Sequence, residues 1–281
     1  MRILVSDPLS DQGIEVLKKE KSFKVDVKPK TPPDELKRII KDYDAIVIRS
    51  ETKMTKDIIN ASRKLKVIGR AGVGLDNVDI EAANKKGIIV MNTPGGNTIS
   101  TAEHAMSLIM ALSRNIPQAV NSVKSGLWER KKFMGIELQG KTLGIIGLGR
   151  IGTEVAKRAL SFGMKILAFD PFITLDQAKK IEVEVVELNR LLEESDYITV
   201  HTPLTKETKH MISDKQIKIM KKGVRLINCA RGGIIDEKAV LNGIEAGIVG
   251  GAAFDVYEKE PPNASDPLLK SDKVICTPHL G

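Results

Sequence analysis

Short apolar runs alternate with amphipathic, charge-bearing segments along most of the chain. In the first third, 3–6, 25–27, 45–48, 67–69 and 88–91 have the length and β-branched content of buried strands. Between them, 11–20, 33–41, 55–61 and 79–86 carry apolar residues at helical spacing. A longer, mostly apolar helical pattern covers 98–123 and is broken at Pro117. The rhythm then resumes, with strands expected at 143–146, 166–169, 183–186, 197–200, 224–228, 248–253 and 274–276. Helices are expected from about Arg150 to Phe162 and over 188–194, 214–220 and 237–246. Short strands separated by helices predict an α/β protein with two doubly wound parallel sheets. The turn-rich stretch Asn92-Thr93-Pro94-Gly95-Gly96-Asn97 is the natural hinge, giving domains over 1–95 and 96–281.

The most informative stretch runs from Lys141 to Asp170. An apolar strand is followed by Gly147, Gly149 and Gly152 at G-x-G-x-x-G spacing, then by a helix with Ile151, Val155, Ala159 and Phe162 on one face. Gly163 ends that helix, and a second strand ends on Asp170. Each part suits a dinucleotide. Gly147 makes the tight turn, Gly149 lets backbone approach a pyrophosphate, and Gly152 lets helix and strand pack closely. The helix N-terminus offers unpaired N–H groups to the phosphates. Asp170 can accept hydrogen bonds from the ribose hydroxyls and would repel a 2′-phosphate, which favours NAD over NADP. The first third holds a second glycine loop, G-R-A-G-V-G-L-D, with Asn77 where a third glycine would stand. It reads as a turn with backbone N–H groups available to an anion.

Composition narrows the class. An apolar fraction of 42% and a charged fraction of 28% are those of a soluble globular protein, and no apolar stretch approaches the roughly 20 residues of a membrane span. The N-terminal apolar run is too short for a secretory signal, and Cys229 and Cys276 lack metal-ligand spacing, so reduced thiols, a cytoplasmic location and no metal are expected. The net charge of +8 is spread along the chain without a nucleic-acid motif, so anionic small molecules are the expected partners, with no nucleic acid or membrane.

In a doubly wound sheet, ligands collect beyond the carboxyl ends of the strands. Those positions are His201-Thr202-Pro203, Cys229-Ala230-Arg231, Asp255 and Thr277-Pro278-His279. Removing a hydroxyl proton during hydride transfer suits a histidine, a carboxylate on its other nitrogen would favour imidazolium, and an arginine fork can hold a carboxylate. Spacing alone does not separate Glu258 from Glu260 as the acid. His104, inside the long helical pattern, has no partner near it in sequence and reads as a partly satisfied buried histidine. Arg130 lies in the cationic run Arg130-Lys131-Lys132 and is a candidate for an anionic substrate.

The segments G-R-A-G-V-G-L-D-N-V-D, N-T-P-G-G-N-T, W-E-R-K-K-F-M-G, G-L-G-R-I-G, V-H-T-P-L, N-C-A-R-G-G-I-I-D, A-A-F-D-V-Y-E-K-E-P-P and T-P-H-L-G resemble the D-2-hydroxyacid dehydrogenase family along nearly the whole chain. The resemblance implies a flavodoxin-like substrate domain, a Rossmann NAD-binding domain on which a homodimer is built, and closure of the two over NAD. It makes Arg231 the carboxylate-binding residue, Glu260 the histidine's partner and His279 the acid/base. Beside the glycine motif and Asp170, it assigns Val73, Arg150, Ile151, His201, Thr202, Pro203, Thr208, Cys229, Ala230, Arg231, Asp255, His279 and Gly281 to the cofactor. To the substrate it assigns Arg49, Ser50, Lys53, Arg70, Gly72, Val73, Asn97, Arg130, Arg231 and His279. Family members continue past H-L-G with a helix returning to the first domain, and longer ones with a regulatory domain; neither lies within these 281 residues.

The expected activity is NAD-dependent oxidation of a D-2-hydroxy acid, with D-3-phosphoglycerate the leading substrate. Glyoxylate or hydroxypyruvate reduction is the alternative within the family, and an NAD-sensing corepressor-like scaffold is the alternative outside catalysis.

Overall fold

Each strand pairing named below is parallel, and each strand joins the next through a helix. The computed structural model describes residues 1–281, the side chains of Leu175 and Gln177 excepted. It divides into two units, Met1–Asn97 and Thr98–Gly281, two residues beyond the boundary expected from the hinge composition.

The first unit contains β1 (Arg2–Val5), α1 (Asp11–Lys19), β2 (Lys24–Val27), α2 (Pro33–Ile39), β3 (Ala45–Ile48), α3 (Lys56–Ala61), β4 (Val67–Arg70), α4 (Ile80–Lys85) and β5 (Ile89–Met91). Its sheet order, β2-β1-β3-β4-β5, is that of a flavodoxin-like domain. Ser10, Thr55 and Asp79 cap α1, α3 and α4 by accepting backbone N–H bonds, which fixes where those helices begin. Leu4, Ile46 and Ile68 from the three central strands are fully buried, together with Leu36 and Ile59 from the covering helices.

The second unit opens with α5 (Thr98–Arg114) and α6 (Ile116–Lys124). The long pattern breaks at Asn115, in the left-handed region at φ 50°, and not at Pro117. Pro117 sits in the first turn of α6, where its missing N–H has no helical partner to lose. There follow β6 (Thr142–Ile146), α7 (Arg150–Ser161), β7 (Lys165–Phe169), α8 (Leu175–Lys179), β8 (Glu184–Val185), α9 (Leu188–Glu194), β9 (Tyr197–Val200), α10 (Asp214–Ile217), β10 (Val224–Asn228), α11 (Glu237–Glu245), β11 (Val249–Phe254), α12 (Pro267–Lys270) and β12 (Val274–Cys276). The sheet runs β12-β11-β10-β9-β6-β7-β8, a Rossmann order whose direction reverses between β6 and β9. The helix expected over 214–220 stops at Ile217, because Ile219 and Met220 bond three residues back, to Gln216 and Ile217, and tighten the turn. The short helices α8 and α12 were not expected from the pattern. Ala102, Ala105 and Ile109 of α5 pack with Val155, Ala156 and Ala159 of α7 over Leu143 and Ile145 of β6. That small-residue seam brings α5 close to the sheet, which matters for His104 below.

Candidate functional site

The crevice at the β6/β9 reversal is built from the glycine motif. Gly147 has φ +94°, a conformation that favours glycine, and a Cβ there would lie 2.8 Å from the Thr202 methyl. A Cβ on Gly152 would collide with the Gly147 carbonyl oxygen, so this glycine serves packing of α7 on the turn. Gly149 differs: a Cβ there would meet nothing within 4 Å. Its missing side chain is therefore not required by the protein's own packing and leaves room above the loop. Gly149 is also the N-cap of α7, with no side-chain cap, so the first N–H groups of a 12-residue helix beside Arg150 and Ile151 are left to an anion.

Asp170 ends β7. Its Oδ2 accepts from the Leu148 amide at 2.8 Å and its Oδ1 from the Phe172 amide at 2.8 Å, which locks the carboxylate beside the glycine turn. Each oxygen keeps a further lone pair for a hydroxyl. At the end of β9, the Nδ1 atom of His201 and the Oγ1 atom of Thr202 are buried without a partner. Burial pulls the His201 ring down to about 4, so it is neutral at physiological pH. Pro203 follows, and Thr208 closes the turn by donating to the Pro203 carbonyl at 2.6 Å. An uncapped helix, open space at Gly149, an acid at the next strand end and orphaned polar atoms fit a dinucleotide with an unphosphorylated ribose. The residues present fit NAD.

Beyond β10, β11 and β12 lie the remaining candidates. Asn228, fully buried, accepts from the Ala230 amide at 3.1 Å and donates to the Arg231 carbonyl at 2.9 Å, shaping the turn that carries Arg231. The Arg231 guanidinium donates to the Ala230 carbonyl at 2.6 Å. Gly232 packs flush on the Tyr257 carbonyl, where any Cβ would collide. Cys229 is buried, and burial, with Asp255 adding to it, pushes its thiol pKa up, so it is no nucleophile.

The two acids left open by spacing are now separated. Glu260 accepts from His279 Nδ1 at 2.8 Å, whereas Glu258 pairs with His210 Nε2 at 2.7 Å. The other Glu260 oxygen accepts from the Tyr257 amide at 3.1 Å. The bond to Glu260 raises the His279 pKa above its ordinary value, and burial opposes it only in part. Burial pushes Glu260 up, but His279 and the Tyr257 amide outweigh it and hold the carboxyl below its usual range. His279 has φ +55°, unusual for a side-chain-bearing residue. Its strained backbone is held by an N–H bond to the Asp255 carbonyl at 2.9 Å, and the next two amides, Leu280 and Gly281, donate to the Asp255 carboxylate at 2.9 Å.

His104 belongs to this neighbourhood. Its Nε2 atom lies 3.2 Å from Asp255 Oδ1 and 3.1 Å from Thr277 Oγ1. The expected partly satisfied histidine is found largely buried, and its partners come from strand ends more than 150 residues away in sequence.

In the first unit, the loop after β3 carries Arg49, Ser50 and Lys53. Fully buried Asp7, at the end of β1, accepts from the Arg49 and Thr52 amides, and Asn77 donates to the Arg49 and Thr52 carbonyls at 2.6 Å. Asp7 was not singled out in the sequence, though an acid directly after the first apolar strand was its available sign, and Asn77 stood out only as the residue in place of a third glycine. Arg70 ends the neighbouring strand and folds over Gly72, where a Cβ would lie 2.6 Å from a guanidinium nitrogen. The proposed anion turn is corrected in part: the Ala71 and Gly72 amides already donate to the Ile48 and Arg70 carbonyls at 2.8 and 2.9 Å. Val73 is braced by Asn92, whose amide donates to its carbonyl at 2.7 Å, and Asn97 closes the unit. Arg130 is exposed on the connection from α6 to β6.

Among the described residues no cluster of metal ligands occurs, and no helix is long and apolar enough to cross a membrane. Residues 106–281 match the family model described as the NAD-binding domain of D-isomer specific 2-hydroxyacid dehydrogenases. The chain is 54% identical over 280 residues to D-3-phosphoglycerate dehydrogenase of Archaeoglobus fulgidus and 53% identical over 280 residues to that of Bacillus subtilis. In each case all of this chain is covered and 53% of the relative, so the chain spans about half the length of the curated relatives it matches. The crystal structure of D-lactate dehydrogenase from Aquifex aeolicus, complexed with NAD and lactic acid, superposes with a TM-score of 0.85 at 33% identity, over 99% of this chain and 88% of that one. A Rossmann sheet with an NAD-fitting crevice and a histidine–carboxylate pair at its strand ends agrees with these matches, and the chain belongs to the D-isomer specific 2-hydroxyacid dehydrogenase family, with residues 106–281 as its NAD-binding domain.

Proposed function

We propose that the protein oxidises D-3-phosphoglycerate to 3-phosphohydroxypyruvate with NAD, the first step of serine biosynthesis. The observation that carries the chemistry is the 2.8 Å bond from His279 Nδ1 to Glu260, with Arg231 on the neighbouring strand end. Bound NAD supplies the acceptor for the hydride leaving the substrate's C2. The protein's residues do the rest. With Nδ1–H committed to Glu260, His279 keeps Nε2 to take the C2 hydroxyl proton, and the Glu260 charge stabilises the imidazolium that results. In the reverse direction the same Nε2–H returns the proton to the keto oxygen. Arg231 holds the substrate carboxylate through its planar fork and orients C2.

The phosphate end needs cations of its own. Arg49, Lys53 and Arg70 stand at or just after adjacent strand ends of the first unit, and Arg130 is a further candidate. The choice of phosphoglycerate rests on the names of the relatives together with these cations. A homodimer is expected from the family, and the exposed apolar side chains that follow α6, Trp128 at 79% and Met134 at 76%, are available to a partner there. Two free cysteines agree with a cytoplasmic location.

The test is NADH formation with D-3-phosphoglycerate, D-glycerate and D-lactate, and NADH consumption with hydroxypyruvate and glyoxylate. Phosphoglycerate should be oxidised with the highest kcat/KM, and His279→Ala should lower kcat by about 100-fold or more. Turnover confined to glyoxylate or hydroxypyruvate would reassign the substrate, and NAD binding without any turnover would make the protein a sensor.

A further inference from the structure

Asp255 lies at the end of β11 with no exposed surface. One oxygen accepts from the Thr277 hydroxyl at 2.6 Å and the Leu280 amide at 2.9 Å, and the other from the Gly281 amide at 2.9 Å. These bonds wrap 277–281, the segment that carries His279, around a single carboxylate. A carboxylate has acceptors only, and a hydroxyl has one hydrogen. Since the Thr277 hydrogen is given to Asp255, the His104 nitrogen facing both groups must bear a hydrogen of its own. The contacts therefore fix the ring as Nε2–H. Gly281 adds a packing contact on the same helix: a Cβ there would lie 3.3 Å from the Thr101 methyl and 3.7 Å from His104 Cδ2.

We propose that His104 is a positioning residue: its Nε2–H, donated to the Asp255–Thr277 pair, ties the 277–281 segment to α5 and so holds His279 in line with Glu260. The strained backbone of His279, at φ +55°, makes such a tether necessary. A residue in a sparsely populated conformation persists only where its surroundings over-determine it, and α5 is the rigid element available, seated on α7 and the sheet by its alanine seam. Without the tether the segment relaxes, the His279–Glu260 bond loosens, and the proton acceptor is displaced from its working position. The functional part of this inference rests on the proposed role of His279 in proton transfer.

Three variants separate the tether from simple packing. His104→Leu keeps bulk and removes the donor. His104→Gln sets an amide N–H close to the former Nε2 position, and His104→Asn is polar but sets its amide near the other ring nitrogen. Titration of the histidine rings by side-chain NMR, in the full chain without substrate, reads the His279–Glu260 bond directly. Steady-state oxidation at saturating NAD reads its consequence. In His104→Leu the His279 ring should titrate closer to its ordinary value, and kcat should fall about tenfold to 100-fold, with KM for NAD changed less. His104→Gln should restore both. Should His104→Leu not fold, His104→Asn takes its place with the same expected losses. An unaltered His279 titration and kcat in the Leu or Asn variant would overturn the proposal. So would a folded Gln variant as impaired as Leu, which would make His104 a packing residue. If the wild-type protein oxidises no hydroxy acid, the functional reading falls while the ring titration still decides the tether.

Discussion

Replacing Glu260 by Gln removes one charge from the His279–Glu260 pair, proposed above to handle the proton, and keeps an acceptor at nearly the same place. The Nδ1–Oε2 separation is 2.8 Å, so the charge centres of the imidazolium and carboxylate lie about 4 Å apart, worth about 1 kcal/mol in water and about 4 kcal/mol at an effective dielectric of 20. The side chains keep 44% and 38% exposure, so solvent screens the pair strongly and the lower figure governs. About 1–1.5 kcal/mol is about one pKa unit. The His279 pKa, raised by Glu260 in the wild type, should fall by that amount in Glu260→Gln.

The direction follows from which form works. Reduction of the keto acid needs imidazolium, so its rate declines as pH rises through the His279 pKa. Oxidation needs the neutral ring, so its rate declines as pH falls through the same value. In Glu260→Gln both inflections should move to lower pH by about one unit, read from kcat/KM profiles in the two directions. Glu258→Gln, whose acid pairs with His210, should leave them in place. Stability has its own sign. A raised His279 pKa stabilises below the ordinary value of 6.5 and loses effect as pH rises through the folded value. A lowered Glu260 pKa stabilises above the ordinary 4.5 and loses effect as pH falls through the folded value. The Tm difference between wild type and Glu260→Gln should therefore be largest between pH 4.5 and 6.5. Unmoved inflections in both directions would refute the pairing as the source of the pH dependence.

Asp170→Ala should narrow the preference for NAD over NADP by about tenfold to 100-fold, since a charge-assisted bond to the ribose contributes about 1.5–3 kcal/mol; an unchanged kcat/KM ratio would remove Asp170 as the selector. The two later glycines of the motif should separate in a paired measurement of Tm and NAD affinity. Gly152→Ala drives a methyl into the Gly147 carbonyl and should cost about 3 kcal/mol or more of stability. Gly149→Ala meets nothing, so it should leave Tm within a few degrees and weaken NAD binding alone. Arg130→Ala should raise KM for phosphoglycerate about tenfold and leave D-glycerate oxidation nearly unchanged; equal losses on both would make Arg130 a residue of assembly.

The elements that could be read from sequence are those whose signal is local. Tyr197–Val200, Val224–Asn228 and Leu188–Glu194 take the expected bounds, because polar or turn-forming residues flank a complete apolar pattern. The glycine motif was legible for the same reason, with strand, turn, helix and acid all within thirty residues. The helices α8 and α12 are too short to display a period. Proline is the conspicuous sign of a break between α5 and α6, whereas the chain turns at Asn115, whose side chain tolerates the left-handed region.

The site divides along the same line. Sequence identifies which residues stand just beyond each strand, because strand ends are local. It does not identify which of those residues meet, because neighbours in the sheet depend on strand order and on how each following loop folds back. Glu258 and Glu260 both follow β11; only the turn through the Tyr257 amide decides that Glu260 reaches His279 and Glu258 is left to His210. His104 has no nearby partner in sequence because its partners follow β11 and β12, the strands at the opposite end of the chain from α5. Asp7 and Asn77 converge on one loop from either side of it for the same reason. The contacts missed are thus made by buried or half-buried polar side chains that join separate strand ends. Their burial is favourable only when the distant partner is in place, so their contribution exists only in the assembled fold. Gly147, Asp170, His201, Arg231 and His279 stand instead at or just beyond strand ends of one sheet, where position alone makes them candidates.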